Sequence, residues 1–367
     1  MNPKQKESNI TERMNLRMEK YFAAANTETG FFSLFHEVFS PEQLRRIYIL
    51  KGGPGTGKST LMKNIGSYAQ ERGYEVEYIC CASDPNSLDG IIIHSLGIAV
   101  LDGTAPHITD PIYPGVSEHI VNLEDAFDCQ ALEKSKEEIM GLIRAKKEAY
   151  QTAYRFLCAA GSLEKERDAL TTSFFLREKA EAAVERLLSS FRYTKTGEQK
   201  QRYISSISCN GIQTLDTLRR RAKKIFAVTD KYGLGCYFMN TLYEAVCAKK
   251  LASTICASPL TRTHKEAIFL EGEDILFTLS EEKENLNADK IINCMRFIKK
   301  DAVSQRKGRL RFLEKCKESV MEGAVSALCE AGNFHKKAEK FYSVCIDFSK
   351  INAIKSRILS EIFANNV

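Results

Sequence analysis

Residues 45–70 read RRIYILKGGPGTGKSTLMKNIGSYAQ, and GGPGTGKS (52–59) fits the pattern G-x-x-x-x-G-K-[ST]. An apolar run, Ile47 to Leu50, precedes it, and Leu61, Met62, Ile65 and Tyr68 follow at helical spacing. Strand, tight turn and helix must therefore follow one another directly, as in α/β proteins. The residue types carry a chemistry. Glycines let backbone N–H groups curl around phosphate oxygens without Cβ clashes, and the helix that starts near Lys58 points its positive end at them. Gly52, Gly53, Pro54, Gly55, Thr56, Gly57, Lys58, Ser59 and Thr60 are thus candidate ligands of a nucleotide, with ATP as the default. Lys58 is expected to reach the β- and γ-phosphates and Ser59 to ligate Mg²⁺, with a further contact from Thr60.

Such a loop needs an acid near its metal. GIAVLDG (97–103) reads as a strand ending in Asp102, the candidate second metal ligand. Gly103 stands where many fast hydrolases carry a glutamate, which argues against a built-in base. Two segments follow predicted strands and read as site loops. CCASDPNSLDG (80–90) offers Asp84, the candidate base, and Asp89. DGTAPHITDPIYPG (102–115) offers Thr104, His107 and Asp110. Turn capping is the competing role for each of them.

The chain also repeats itself. KKIFAVTDKYGLGCYF (223–238) aligns with RRIYILKGGPGTGKST (45–60), matching Gly233 to Gly55 and Gly235 to Gly57. Cys236 stands at the lysine position and Tyr237 at the serine position. Residues 118–161 align without a gap on 289–332, at a constant offset of 171, with 11 identities in 44 positions. The order of the matches predicts an internal duplication. Its units are a polar segment 1–20, a working half 21–195 and a degenerate half 203–367, with 192–202 as linker. Each half is expected to be an αβα layered unit of the P-loop NTPase kind with a helical attachment. The helices expected in the attachments span 130–191, broken near Gly161-Ser162, and then 295–331 and 334–363. Pairing of the two halves is expected.

The stretch GGPGTGKSTLMK…CCASDPNSLDG…LGIAVLDGTAPH resembles a family of tandem P-loop proteins known generically as ATPases or nucleotide kinases. The resemblance spans nearly the whole chain. It implies two α/β nucleotide-binding units in one cytoplasmic polypeptide. In that family the second unit often keeps its own P-loop; here it lacks the lysine, the serine and the acid.

Bulk properties narrow the partners. The 367 residues carry a net charge of +6, which is too mild by itself to indicate nucleic acid. Residues 295–317 hold nine Lys/Arg and two acids, whereas the matched 124–146 hold four and six. The basic stretch reads as a solvated face, as a dock for the acidic helix of the first half, or as a site for an acidic protein or nucleic acid. The twelve cysteines show no CxxC and no zinc spacing, so they read as reduced thiols of a cytoplasmic protein. The longest apolar run, 91–101, is too short to cross a membrane. The expected activity is Mg-ATP hydrolysis at one site. A kinase and a binding module without turnover are the alternatives, and no arginine finger can be assigned.

Overall fold

The computed structural model describes residues 18–191, 195–280 and 287–363. β1 (Met18–Phe22) leads into the hairpin β2 (Ala24–Thr27) and β3 (Gly30–Ser33), then a one-turn helix α1 (Phe35–Val38). β4 (Arg46–Lys51) feeds α2 (Lys58–Glu71), followed by β5 (Val76–Cys80), β6 (Leu88–Ile93), β7 (Ile98–Asp102) and β8 (Glu118–Asn122). Three helices end this half: α3 (Cys129–Lys134), α4 (Lys136–Thr171) and α5 (Arg177–Ser189). The second half opens with β9 (Gln199–Arg202), the hairpin β10 (Ser205–Ser208) and β11 (Gly211–Thr214), and α6 (Thr217–Arg221). β12 (Lys224–Thr229), α7 (Gly235–Ala248), β13 (Ser253–Ala257), β14 (Lys265–Leu270), β15 (Ile275–Ser280) and β16 (Lys290–Ile292) follow. It closes with α8 (Lys300–Ser343) and α9 (Phe348–Phe363).

The fold is mixed α/β, with two mixed six-stranded sheets. The first has the order β1-β5-β6-β7-β4-β8 and the second the order β9-β13-β14-β15-β12-β16. In each sheet one inner strand, β6 or β14, runs antiparallel to both neighbours, and the other pairings are parallel. β4 shows why a continuous apolar run makes a central strand. Ile47, Tyr48, Ile49 and Leu50 are all buried, so both faces of the strand are covered.

Two boundaries differ from those expected. β1 begins at Met18, inside the segment read as polar, because it pairs in parallel with β5. Gln199–Arg202, read as linker, is an edge strand on β13; 192–194 lie outside the described residues. The break expected at Gly161 is also absent: α4 runs through it. A Cβ there would lie 2.5 Å from Glu28 Cβ, so the glycine serves a close approach to the β2–β3 turn. Likewise α8 is continuous across 332–334, where two helices were expected.

α4 and α8 pack antiparallel. Ala153, Leu157 and Ala160 meet Ala324, Ala327 and Leu328, and these small residues bring the backbones close. Beyond this seam the halves exchange helices. α9 covers the first sheet, with Ile351, Ile358 and Ile362 in its core and Phe363 against Tyr68 and Tyr74 of the first half. α5 covers the second sheet, with Ala180, Val184 and Leu188 among Phe226, Phe238 and Met239. Phe127 bridges to Ile346, and Phe175 to Ile298; the 171-residue offset carries each pair onto the other. Basic 300–317 lies along the end of α4, where Arg309 pairs with Glu166 and Lys317 with Glu164. Docking on the acidic 124–146, one of the three readings for it, is not seen among the described residues: that stretch reaches only the other end of α4. No described helix is long and apolar enough to cross a membrane.

Candidate functional site

β4 and β7 are parallel neighbours, with Leu50 opposite Asp102. Their carboxyl ends therefore bring the glycine loop and Asp102 together. Gly55 and Gly57 hold left-handed φ values of 74° and 78°, which glycine adopts without strain. Gly52 is tightly packed, since a Cβ would meet Leu123 Cβ at 3.0 Å. Thr56 is buried and donates to Gly53 O, so it braces the loop. Thr60 is exposed one turn into α2, and Pro54 is half-buried. α2 opens at Gly57 without a side-chain cap and without an acid in its first turn. Its positive end is left for an anion.

Lys58 folds back into the loop. Its Nζ donates to Gly52 O at 2.7 Å and Gly53 O at 3.0 Å and lies 3.7 Å from Asp102 Oδ2. Burial lowers its pKa, against the pull of Asp102, Asp89 and Glu339. Ser59 Oγ accepts from Leu88 N, which ties the loop to β6. Asp102 Oδ1 accepts from Thr104 N and Thr104 Oγ1. Gly103 is fixed by packing, because a Cβ would collide with Ile49 Cγ2; no glutamate fits there. Lys51 staples the loop beyond, donating to Gly103 O, Thr109 O and Asp110.

The acid that faces this centre is Asp89 rather than Asp84. Asp84 is exposed and accepts from Asn86 N, an Asx turn that shapes the loop. Asp89 is buried on β6, and among the described residues its Oδ2 has no hydrogen-bond partner. Burial raises its pKa to about 6, helped by Asp102 and opposed by His107 and Lys58. His107 Nε2 stands 3.6 Å from Asp89 Oδ1, with its ring stacked on Phe35 at 4.4 Å. Ser59 and Asp102 are hard oxygen donors, and the unbonded Asp89 oxygen is left to act as a proton acceptor. The two donors suit Mg²⁺.

The other half roofs the site. Built Cβ atoms on Gly53 and Gly55 would lie 2.9 Å from the Tyr342 ring and 3.1 Å from Glu339 O, so the last turns of α8 rest on the loop. A hollow of about 670 Å³ lies beside it, between Glu138 and Leu142 on α4 and Lys337 and Phe341 on α8. None of Lys58, Asp102 or Asp89 lines it.

The second glycine loop is filled from within. Asp230 at its start accepts from Gly235 N at 2.8 Å, so a carboxylate of the chain caps α7. The Arg167 guanidinium lies against Gly233, where a Cβ would collide with its Cζ. Arg167 also bonds Asp168, whose other oxygen lies 2.8 Å from His264 Nε2. Opposite Val228, as Asp102 is opposite Leu50, stands Leu279. Asp168, Cys236 and His264 converge closely enough to hold a metal, a grouping that spacing along the chain could not reveal. The roof was equally hard to foresee, and Asp89, named beside Asp84, could not be ranked above it, because both depend on which elements meet. No family model, curated protein or solved structure matches the chain.

Proposed function

We propose that the chain is a P-loop NTPase that uses ATP and Mg²⁺ at one site in its first half. The observation that carries this is the convergence of Lys58, Asp102 and buried Asp89 on an uncapped helix start. Lys58 neutralises the outer phosphates. Ser59 and Asp102 hold the metal, which when bound would offset charge on the phosphate oxygens. Asp89, whose pKa burial raises to about 6, takes the proton of the attacking group. His107 steadies Asp89. The shared strand order and the reciprocal exchange of α5 and α9 support a duplicated pair, in keeping with the resemblance to tandem P-loop proteins. The second loop, with Asp230 and Arg167 in place, has become structural. A nucleotide kinase is the second reading. Buried Asp89 and His107 favour it, since they would serve an acceptor hydroxyl as well as water.

The test is ADP release with Mg-ATP, alone and against a panel of nucleosides and nucleotides. Lys58→Ala should lower turnover roughly 100-fold, and Asp89→Asn by a similar factor. Release that needs one acceptor makes the chain a kinase; acceptor-independent release makes it a hydrolase. Mg-ATP binding without Lys58-dependent turnover would leave a binding module. Two equal sites per chain would refute the single-site reading.

A further inference from the structure

Lys146 on α4 and Lys317 on α8 are the same residue at the 171-residue offset, yet their surroundings differ in sign. Lys317 Nζ pairs with Glu164 Oε1 at 3.4 Å and Glu314 Oε1 at 2.9 Å, and these acids raise its pKa against the effect of burial. The positions that correspond to those acids around Lys146 are His335 and Ile143. No carboxylate lies within ion-pair distance of Lys146 among the described residues, and its Nζ stands 3.3 Å from His335 Nδ1. Tyr150, one turn on, bonds Ser83, so this part of α4 is held against the loop that carries Asp84. Burial and Lys58 lower the pKa of Lys146, with Cys81 opposing. Lys146 thus hydrogen-bonds His335, which lies one turn from Glu339, whose carbonyl abuts Gly55, so the pair sits near Lys58 and the glycine loop. In the second half Glu164 stands at the position of His335 and pairs with Lys317, while Asp168 matches the acid Glu339 of the first site.

We propose that Lys146 and His335, one from each half, clasp the terminal phosphate of a nucleoside triphosphate seated on the glycine loop. This rests on the nucleotide reading above. An anion there gives Lys146 the charged partner that no described carboxylate supplies. Because the pair comes from α4 and α8, the clasp tells triphosphate from diphosphate and draws the two long helices together. The free His335 ring is held at about 4 by burial, Lys146 and Lys58, with Asp84 opposing and Glu339 one turn along its own helix. Phosphate raises it, so binding takes up a proton.

The experiment is calorimetric binding of Mg-ADP and a non-hydrolysable Mg-ATP analogue to the full chain. It would be run near pH 6 in two buffers of different ionisation enthalpy. Lys146→Met should weaken the triphosphate about tenfold and the diphosphate far less, and Lys146→Arg should restore most of the difference. His335→Gln should abolish proton uptake. Lys317→Met, in the second half, should leave the ratio of affinities unchanged. If Lys58→Ala abolishes binding while Lys146→Met weakens both ligands equally or neither, the clasp is wrong and the nucleotide reading stands. If the wild type binds no nucleotide, inorganic tripolyphosphate decides. Lys146-dependent binding keeps the anion clasp without the nucleotide, and no binding overturns both.

Discussion

Glu77 on β5 accepts from Arg202 on β9 and from His94, so one carboxylate ties the two sheets together. Burial alone would raise its pKa, but Arg202 and His94 bring it down to about 2. The folded value lies below the ordinary carboxylate range, so the stabilisation is full above the unfolded pKa of about 4.5 and is lost as pH falls toward 2. Its size is on the order of 3 kcal/mol. Urea unfolding between pH 6 and 2.5 should show this slope in the wild type and lose much of it in Glu77→Gln. Parallel acid curves for the two proteins would dismiss the pair as the cause. At this scale the glycine loop, Lys58, Ser59 and Asp102 could be read from spacing, since local backbone geometry dictates those residue types. Asp89 could not be singled out from Asp84, because only the β5–β6 pairing decides which of two nearby acids turns inward.

Among the elements, α4 and α8 show what a local pattern can and cannot settle. Their apolar periodicity predicts helices, and both formed. Glycine within a helix costs about 1 kcal/mol against alanine, so Gly161 reads as a break until its neighbour is known. Its counterpart Gly332 has nothing within 4 Å of a built Cβ, whereas Gly161 abuts Glu28. The same substitution should therefore act in opposite directions. Gly332→Ala should stabilise by up to about 1 kcal/mol. Gly161→Ala should destabilise by about 1–3 kcal/mol as the β2–β3 turn is pushed away. Thermal melts of the two variants and the wild type give the signs, and stabilisation by both would mean that the turn yields freely.

For the whole molecule, the exchange of helices is the feature that repeat matching could not supply. A duplicated pattern predicts which faces are apolar but not whose sheet each face will cover, because both sheets offer nearly the same surface. Each half is closed by a helix of the other, so the two should lose stability in a crossed manner. Ile358 on α9 and Val184 on α5 are both buried, at 0% and 1% exposure. Truncating a buried aliphatic side chain costs about 1–5 kcal/mol, depending on its size. Ile358→Ala should speed hydrogen exchange in β4 and α2 of the first half and weaken nucleotide binding at their junction. Val184→Ala should speed exchange in β12 and α7 and leave that binding close to wild type. The roof of Tyr342 and Glu339 adds a direction to this coupling. A ligand on the glycine loop should slow exchange at the end of α8, in the half whose own loop is filled by Asp230 and Arg167. Protection confined to β4, α2 and β7 would mean that the halves share a core without sharing a signal. Protection that reaches α8 would make its last turns the route by which the second half senses the first.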